Sequence, residues 1–324
     1  MILLSRLWLS RLWLVITFSI FKDISCILLY NNDNYSVVLS YFSIGSLHYK
    51  EFNDIDMLHD FLNEAVSLNI TTLDTADVYG WYEDGKGVSN DLLSQVFQRY
   101  PDMRKKFKII AKFGIRLENG YHVDLSPSWI WSSINRYLDL FFTSYIDVFM
   151  IHNPTNNMNY IEIANTFFTL YKQKKVLFFG VSNFEKWQWI SLQEAMNSFG
   201  ISLSIVELEA SVLHYEHLME WNDFSIENNI PILGWGPEGG DPNGGKNRLF
   251  LSNGEREKRI VSALQKIGKK YDIQDDQVTI SWIHSFSSLI IPILGTTRKD
   301  RLKNQSIPYP LDEQDIAWLS SQLY

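Results

Sequence analysis

The strongest constraint on this chain is a rhythm. Short runs that are apolar almost throughout return at intervals, with helical patterns between them. They fall at residues 41–45, 70–73, 108–112, 146–152, 175–181, 203–208, 231–235 and 289–294. Strands without a polar face are buried on both sides, which implies a parallel sheet covered by helices. Helical spacing fills the gaps at 55–68, 128–140, 160–171, 185–197, 217–227, 255–270 and 275–286, and a closing helix spans 312–323. A further helix is predicted from Ser89, as its cap, to about Tyr100. Eight strands in this alternation favour a closed (β/α)8 barrel, the TIM-barrel form of the α/β class. The open-sheet alternative lacks its dinucleotide fingerprint, since no Gly-x-Gly-x-x-Gly follows an early strand. Ahead of the barrel, apolar arms at 27–30 and 35–39 flank Asn31-Asn32-Asp33-Asn34, which predicts a β-hairpin closing the barrel's bottom.

No polar linker divides the chain, so residues 27–324 are expected to form a single barrel domain after an extension at 1–26. A hydrophobic content of 46% is ordinary for a globular core, while aromatics at 15% imply dense packing or an aromatic-lined cleft. The formal charge of −8 offers no basic excess, so nucleic acid is not an expected partner. The one cysteine, Cys26, excludes an intrachain disulfide and a cysteine-built metal cluster, and fits a reducing compartment such as the cytoplasm. The extension repeats Ser-Arg-Leu-Trp-Leu at 5–9 and 10–14 and continues into an uncharged run ending at Phe21. Arg6 and Arg11 before that run resemble the start of a signal peptide, yet no small-residue cleavage site follows and the run is too short to span a bilayer. A packed extension, a membrane-associating segment and a targeting signal all stay open, and membrane contact is expected only through these residues.

Chemistry is looked for where strands end, because barrel enzymes keep it at the C-terminal face. Four polar residues stand there: Asp74 and Tyr79 after the second strand, Lys112 ending the third and His152 ending the fourth. Each has a structural reading: Asp74 as a turn cap, Tyr79 as packed aromatic surface, His152 as a core histidine. Lys112, inside Ile-Ile-Ala-Lys-Phe-Gly, needs a partner or an outlet to solvent. Together they form a proton-handling set. A tight loop folds Tyr79 back over Asp74, an ammonium stabilises a phenolate, a carboxylate holds the ammonium, and a neutral histidine orients a carbonyl. The set contains no electron source, so a reduction requires a hydride-carrying cofactor. Asp77 is read as a loop residue, and Trp187 and Trp189 as helix packing.

From about Ser36 to its end the chain resembles the aldo-keto reductases. The segments that carry this are Leu-Asp-Thr-Ala-Asp-Val-Tyr-Gly at 73–80, Ala-Lys-Phe-Gly at 111–114, Tyr-Ile-Asp-Val-Phe-Met-Ile-His at 145–152, Gly-Val-Ser-Asn-Phe at 180–184 and Pro-Ile-Leu-Gly-Thr-Thr-Arg at 292–298. The likeness is to a bacterial branch of predicted oxidoreductases with a tryptophan strand end and a Gly-Gly loop followed by Arg-Leu-Phe. The resemblance implies a catalytic tetrad of Asp74, Tyr79, Lys112 and His152. It implies NADPH, less readily NADH, held across the barrel top. Ser182, Asn183 and Glu207 then fall at the carboxamide, Trp235 against the nicotinamide, and Gly45 and Asp74 along the same wall. Gly236 and the loop to 250 fall over the pyrophosphate. Thr296, Arg298, Lys299 and Arg301 fall at the 2′-phosphate, and Gln305 at the adenine. Two positions depart from the family pattern. Glu207 stands where an amide is usual, and Asn304-Gln305 replaces the family's glutamate-led adenine contact.

The reading is therefore an NADPH-dependent oxidoreductase that reduces an aldehyde or ketone to an alcohol, with Tyr79 as the acid. Its expected partner is a small carbonyl substrate, with no metal, in a monomer or weak homo-oligomer. The alternative is a non-catalytic nucleotide-binding regulatory or auxiliary subunit, which Glu207 and the altered adenine contact keep open. A metal-dependent barrel hydrolase is a third reading; His214 and His217 lack a recognisable ligand pattern.

Overall fold

The computed structural model describes residues 26–31, 36–79, 88–117, 120–239, 249, 252 and 254–324. The repeat and apolar run of the extension, most of the Asn-rich turn and the glycine-rich loop beyond Gly239 lie outside the described residues. Strands β1 (Cys26–Tyr30) and β2 (Ser36–Ser40) pair antiparallel, with Cys26 opposite Ser40. The barrel is closed by β3 (Ser43–Gly45), β4 (Thr72–Ala76), β5 (Lys108–Phe113), β8 (Ile146–Ile151), β9 (Val176–Ser182), β10 (Leu203–Glu209), β11 (Ile232–Trp235) and β12 (Ile290–Leu294). Each pairs in parallel with the next in this order, and β12 returns to β3. A short ribbon, β6 (Ile115–Arg116) with β7 (His122–Val123), follows β5.

Around the barrel lie α1 (Ile55–Ser67), α2 (Val88–Arg99), α3 (Pro101–Lys106), α4 (Pro127–Leu140), α5 (Tyr160–Lys172), α6 (Lys186–Asn197), α7 (Tyr215–Asn228), α8 (Glu255–Tyr271), α9 (Asp275–His284), α10 (Lys299–Gln305) and α11 (Glu313–Ser321). Helix α1 shows how local chemistry sets their ends and faces. Asp54 caps it by accepting from Met57 N at 2.7 Å, and Leu58, Phe61, Leu62 and Ala65 form its buried stripe. No helix among the described residues is long and apolar enough to cross a membrane.

Two cores follow from the strand's period of two. On β5, Ile109, Ala111 and Phe113 face the helices, while Ile110 faces inward. It meets Val148, Met150, Phe178, Ile205, Leu233, Ile291 and Ile293 inside the barrel. Ile27, Leu29, Val37 and Leu39, the buried alternate residues of the hairpin, join this cluster from the strand-start end. There Asn31 Nδ2 donates to Leu177 O at 3.2 Å, and Ser40 Oγ donates to Thr72 Oγ1 at 2.9 Å.

Four local expectations change. Ser89 is not a cap: α2 begins at Val88, and the buried Ser89 hydroxyl reaches Leu47 O at 3.4 Å. Helix α3 goes unforeseen, although Pro101 at its first position and the basic residues in its last turn are ordinary signals. The β6–β7 ribbon is also unforeseen, two residues per strand being too few for alternation to register. Trp187 and Trp189 do not pack together. Two positions apart on a helix point to opposite sides, so Trp189 is buried against Phe224 while Trp187 is 59% exposed.

Candidate active site

The period of two that fills the barrel interior also builds its mouth. One inward step beyond Ile110, Met150, Gly180, Ile205 and Leu233 come Lys112, His152, Ser182, Glu207 and Trp235. Asp74, inward on β4, reaches the same layer. Gly180 makes room beneath it. A Cβ there would lie 2.7 Å from Met150 Cε, 2.8 Å from Ile205 Cγ2 and 2.9 Å from Ile205 O.

At the centre is Lys112, wholly buried between two carboxylates. Its Nζ lies 2.6 Å from both Asp74 oxygens and 2.9 and 3.1 Å from the two Glu207 oxygens. Ser182 Oγ donates to Glu207 Oε1 at 3.3 Å, and Tyr79 Oη donates to Asp74 Oδ2 at 3.3 Å. The Lys112 ammonium is 5.0 Å from the Tyr79 ring centroid, and the His152 ring stands edge-on to Tyr79 with centroids 6.0 Å apart. Asp74, Tyr79, Lys112 and His152 are thus brought together as the sequence suggests, with Glu207 as a fifth member.

Burial decides the protonation states. It would lower the Lys112 ammonium, yet Asp74 and Glu207 hold it well above its usual range. Burial raises Asp74, and Lys112 only partly offsets it. Burial and the Asp74 charge push Glu207 up to about 8, against the pull of Lys112 and Ser182. Burial, then the Lys112 charge, holds His152 well below its ordinary value, so the ring is neutral. Its Nδ1 is buried without a hydrogen-bond partner. Tyr79 departs from expectation. Burial and the charges of Asp74 and Glu207 raise it well above 10, outweighing the single ammonium expected to lower it. The phenol is fully protonated at any working pH.

The neighbouring wall is a linked set. Asn183 adopts the left-handed conformation at φ 59°, a region asparagine tolerates. Its backbone N–H donates to Glu207 O at 2.8 Å. Its Nδ2 donates to His152 O at 3.2 Å and Asn153 Oδ1 at 2.7 Å, and its Oδ1 accepts from Trp235 Nε1 at 3.0 Å. Both amide hydrogens are therefore engaged, and the capacity left at this edge is acceptor capacity on Ser182 Oγ, Asn183 Oδ1 and Glu207. Beside the indole of Trp235, such an edge fits a planar ring that carries an amide NH2.

The other end of the cleft is denser in charge than the sequence indicates. Arg298 pairs with Asp300, Lys299 with Asp60, and Arg301 with both Glu238 and Asp276. Gln305 Nε2 donates to Glu238 Oε1 at 2.7 Å, and Thr296 Oγ1 accepts from Arg298 N at 3.1 Å. Glu238 thereby ties the segment after Trp235 and Gly236 to α10. Gly45, at the end of β3, lies in register with Asp74.

Residues outside the tetrad hold it in place. Asp77, read from sequence as a plain loop residue, is buried. Its N–H donates to Lys112 O at 3.0 Å and its Oδ2 accepts from Gly114 N at 2.9 Å, so it fixes the end of β5. Tyr137 Oη also donates to Lys112 O, at 2.7 Å. Behind β4, Thr75 Oγ1 donates to Asn90 Oδ1 at 2.6 Å and Asn90 Nδ2 donates to Ala76 O at 2.8 Å. The available signal was Asp77's spacing of three from Asp74 in one motif. Among the described residues, no group of three or more His, Cys, Asp or Glu is placed to hold a metal ion.

Known proteins resemble this chain along most of its length. An uncharacterized oxidoreductase of Bacillus subtilis, YcsN, is 28% identical over 273 residues, covering 81% of this chain and 86% of that one. A 6-dehydroglucose reductase of Agrobacterium fabrum is 27% identical, over 75% of this chain and 78% of its own. The oxidoreductase YdhF of Escherichia coli is 26% identical, over 76% and 80%. The model of the aldo/keto reductase family matches residues 42–322. That match runs from just before β3 to the end of the closing helix, and the chain therefore belongs to the aldo/keto reductase family, as an oxidoreductase of its carbonyl-reducing class.

Proposed function

We propose that the protein reduces an aldehyde or ketone to an alcohol with NADPH, and that Tyr79 donates the proton. The observation that carries this is the buried Asp74–Lys112 pair with Tyr79 and neutral His152 at one barrel mouth. Aldo/keto reductases use nicotinamide cofactors, and a bound nicotinamide supplies the hydride that this residue set lacks. Ser182, Asn183, Glu207 and Trp235 would hold it. His152, neutral, donates a hydrogen bond that orients the substrate oxygen. Tyr79 Oη turns from Asp74 to that oxygen and delivers its proton, and the phenolate left behind is stabilised by Lys112. Asp74 keeps Lys112 charged throughout.

NADPH is favoured over NADH by the three cations at 298–301. Arg298, Lys299 and Arg301 keep 71%, 37% and 38% of their side-chain surface exposed. Exposed ion pairs are worth about 0–1 kcal/mol. A dianionic phosphate can therefore displace the carboxylates of Asp300 and Asp60 from Arg298 and Lys299, whereas Arg301 would keep the largely buried Glu238 and Asp276 and add only its charge.

The test is NADPH oxidation against a panel of aldehydes and dicarbonyls that includes 6-dehydroglucose, the compound in the Agrobacterium relative's name. Tyr79→Phe should lower turnover by about 10²- to 10⁴-fold while nucleotide binding persists. Turnover unchanged by that substitution refutes the mechanism. Tight nucleotide binding with no turnover on any substrate supports the binding-subunit reading instead.

A further inference from the structure

We propose that Glu207 makes the barrel mouth discriminate the redox state of the nicotinamide by charge, favouring the cationic oxidised cofactor over the neutral reduced one when its carboxylate is ionised. The inference rests on the proposed use of a nicotinamide cofactor and goes beyond it, by giving Glu207 a role that an amide at this position cannot fill.

The argument begins with a charge count. The groups facing Glu207 are Lys112 from β5, Asp74 from β4 and Tyr79 from the segment after β4, with His152 after β8 beside Tyr79 and Lys112. Its neighbours on β9 and β11, Ser182 and Leu233, carry no charge. Tyr79 and His152 are neutral, Lys112 is positive and Asp74 negative. With Glu207 ionised the buried cluster carries one net negative charge; with Glu207 protonated it carries none. An uncompensated buried charge is costly, and a cation brought beside it removes the cost. The oxidised nicotinamide is such a cation and the reduced ring is not.

Hydrogen bonding sets a separate condition, on the carboxamide that both forms of the ring carry. Ionised Glu207 only accepts, and both amide hydrogens of Asn183 are already engaged. The edge therefore has acceptors for a carboxamide NH2 and lacks a free donor for its carbonyl oxygen. Protonated Glu207 carries an O–H and supplies that donor, as a glutamine would. The carboxamide does not tell the two forms of the ring apart; the charge of Glu207 does, the anion favouring the oxidised cation.

The proton balance is simple. Where Glu207 is protonated in the free protein, binding the oxidised cofactor ionises it and releases its proton to solvent. Binding the reduced cofactor leaves the proton in place. Burial and Asp74 put this exchange near neutrality, with Glu207 pushed up to about 8.

The experiment titrates the full chain with NADP+ and with NADPH, following tryptophan fluorescence, from about pH 6.5 to about pH 9.5. Wild type should show the ratio Kd(NADPH)/Kd(NADP+) rising by about tenfold or more across that range. In Glu207→Gln the ratio should be flat and near the low-pH value of wild type. Calorimetry of wild type in buffers of different ionisation enthalpy gives a second readout that needs no variant. NADP+ binding should release a fraction of a proton near pH 7, and NADPH binding should not. A pH-independent ratio in wild type, an equal ratio in wild type and Glu207→Gln at high pH, or equal proton release with both nucleotides overturns the inference while leaving the reductase reading intact. Binding of neither nucleotide overturns both.

Discussion

The Glu207 carboxyl makes a prediction about the free protein. Its value is raised from 4.5 to about 8 by burial and by Asp74. A carboxyl raised in the folded state stabilises the fold only to the extent that it can keep its proton. Its contribution is complete below the unfolded value and is lost as pH rises through the folded one. At about pH 5.5, one unit above 4.5, roughly 1 kcal/mol of it is lost; by about pH 8.5, above the folded value, the loss approaches roughly 5 kcal/mol. Glu207→Gln removes this titration and keeps an acceptor for Lys112, which also retains both Asp74 oxygens. Any constant cost of the substitution is the same at both pH values, so the slope is diagnostic whatever the offset. Its melting temperature relative to wild type should rise by about 5 °C between pH 5.5 and 8.5, from roughly 3–4 kcal/mol and an unfolding entropy of about 2.1 cal/mol/K per residue. Scanning calorimetry of both proteins at the two pH values measures it. A difference independent of pH, or one that shrinks as pH rises, would refute the account of Glu207 as a carboxyl held against its charge.

Three further outcomes follow from the same structure. Gly180→Ala drives a methyl against Met150, Ile205 and the Ile205 carbonyl, and because the backbone cannot yield it should cost about 1–3 kcal/mol in urea denaturation. Asp77, which burial pushes up to about 7, loses its contribution as pH rises from 3.8 through that value; Asp77→Asn should flatten this part of the stability profile, by up to ~4 kcal/mol, while still accepting from Gly114. Arg301→Ala should weaken NADPH by about tenfold and leave NADH nearly unchanged in a fluorescence titration, and equal losses for both would remove Arg301 from the 2′-phosphate site.

What the sequence makes legible here follows the range of the interaction. Strand positions are readable because burial on both faces leaves apolar runs, and the first polar residue past such a run is visible on its own. Asp74, Lys112 and His152 are found that way. Glu207 and Glu209 look alike in the sequence, since both stand at alternate positions of one strand. Only closure of the barrel, which brings β10 opposite β5 across 95 positions of chain, selects Glu207 as the partner of Lys112. Glu209 instead accepts from Ser211 at 2.8 Å. The cations at 298–301 are visible for the same local reason, while the carboxylates of Asp60, Glu238 and Asp276 that meet them come from three other segments. The direction of the Tyr79 shift is likewise set by the sum of charges across the mouth, and no spacing within 74–79 encodes that sum.

The hairpin at the base has a kinetic consequence. Ile27, Leu29, Val37 and Leu39 fill the barrel from the strand-start end, so among the described residues the interior is closed on that side. In the proposed reaction, a nicotinamide against Trp235 and Ser182 and a carbonyl compound meeting Tyr79 and His152 would both have to enter and leave by the same mouth. Alcohol product should compete with the carbonyl compound for the loaded barrel, and a substrate mimic that seals the mouth over spent nucleotide should slow its exit more than it slows chemistry.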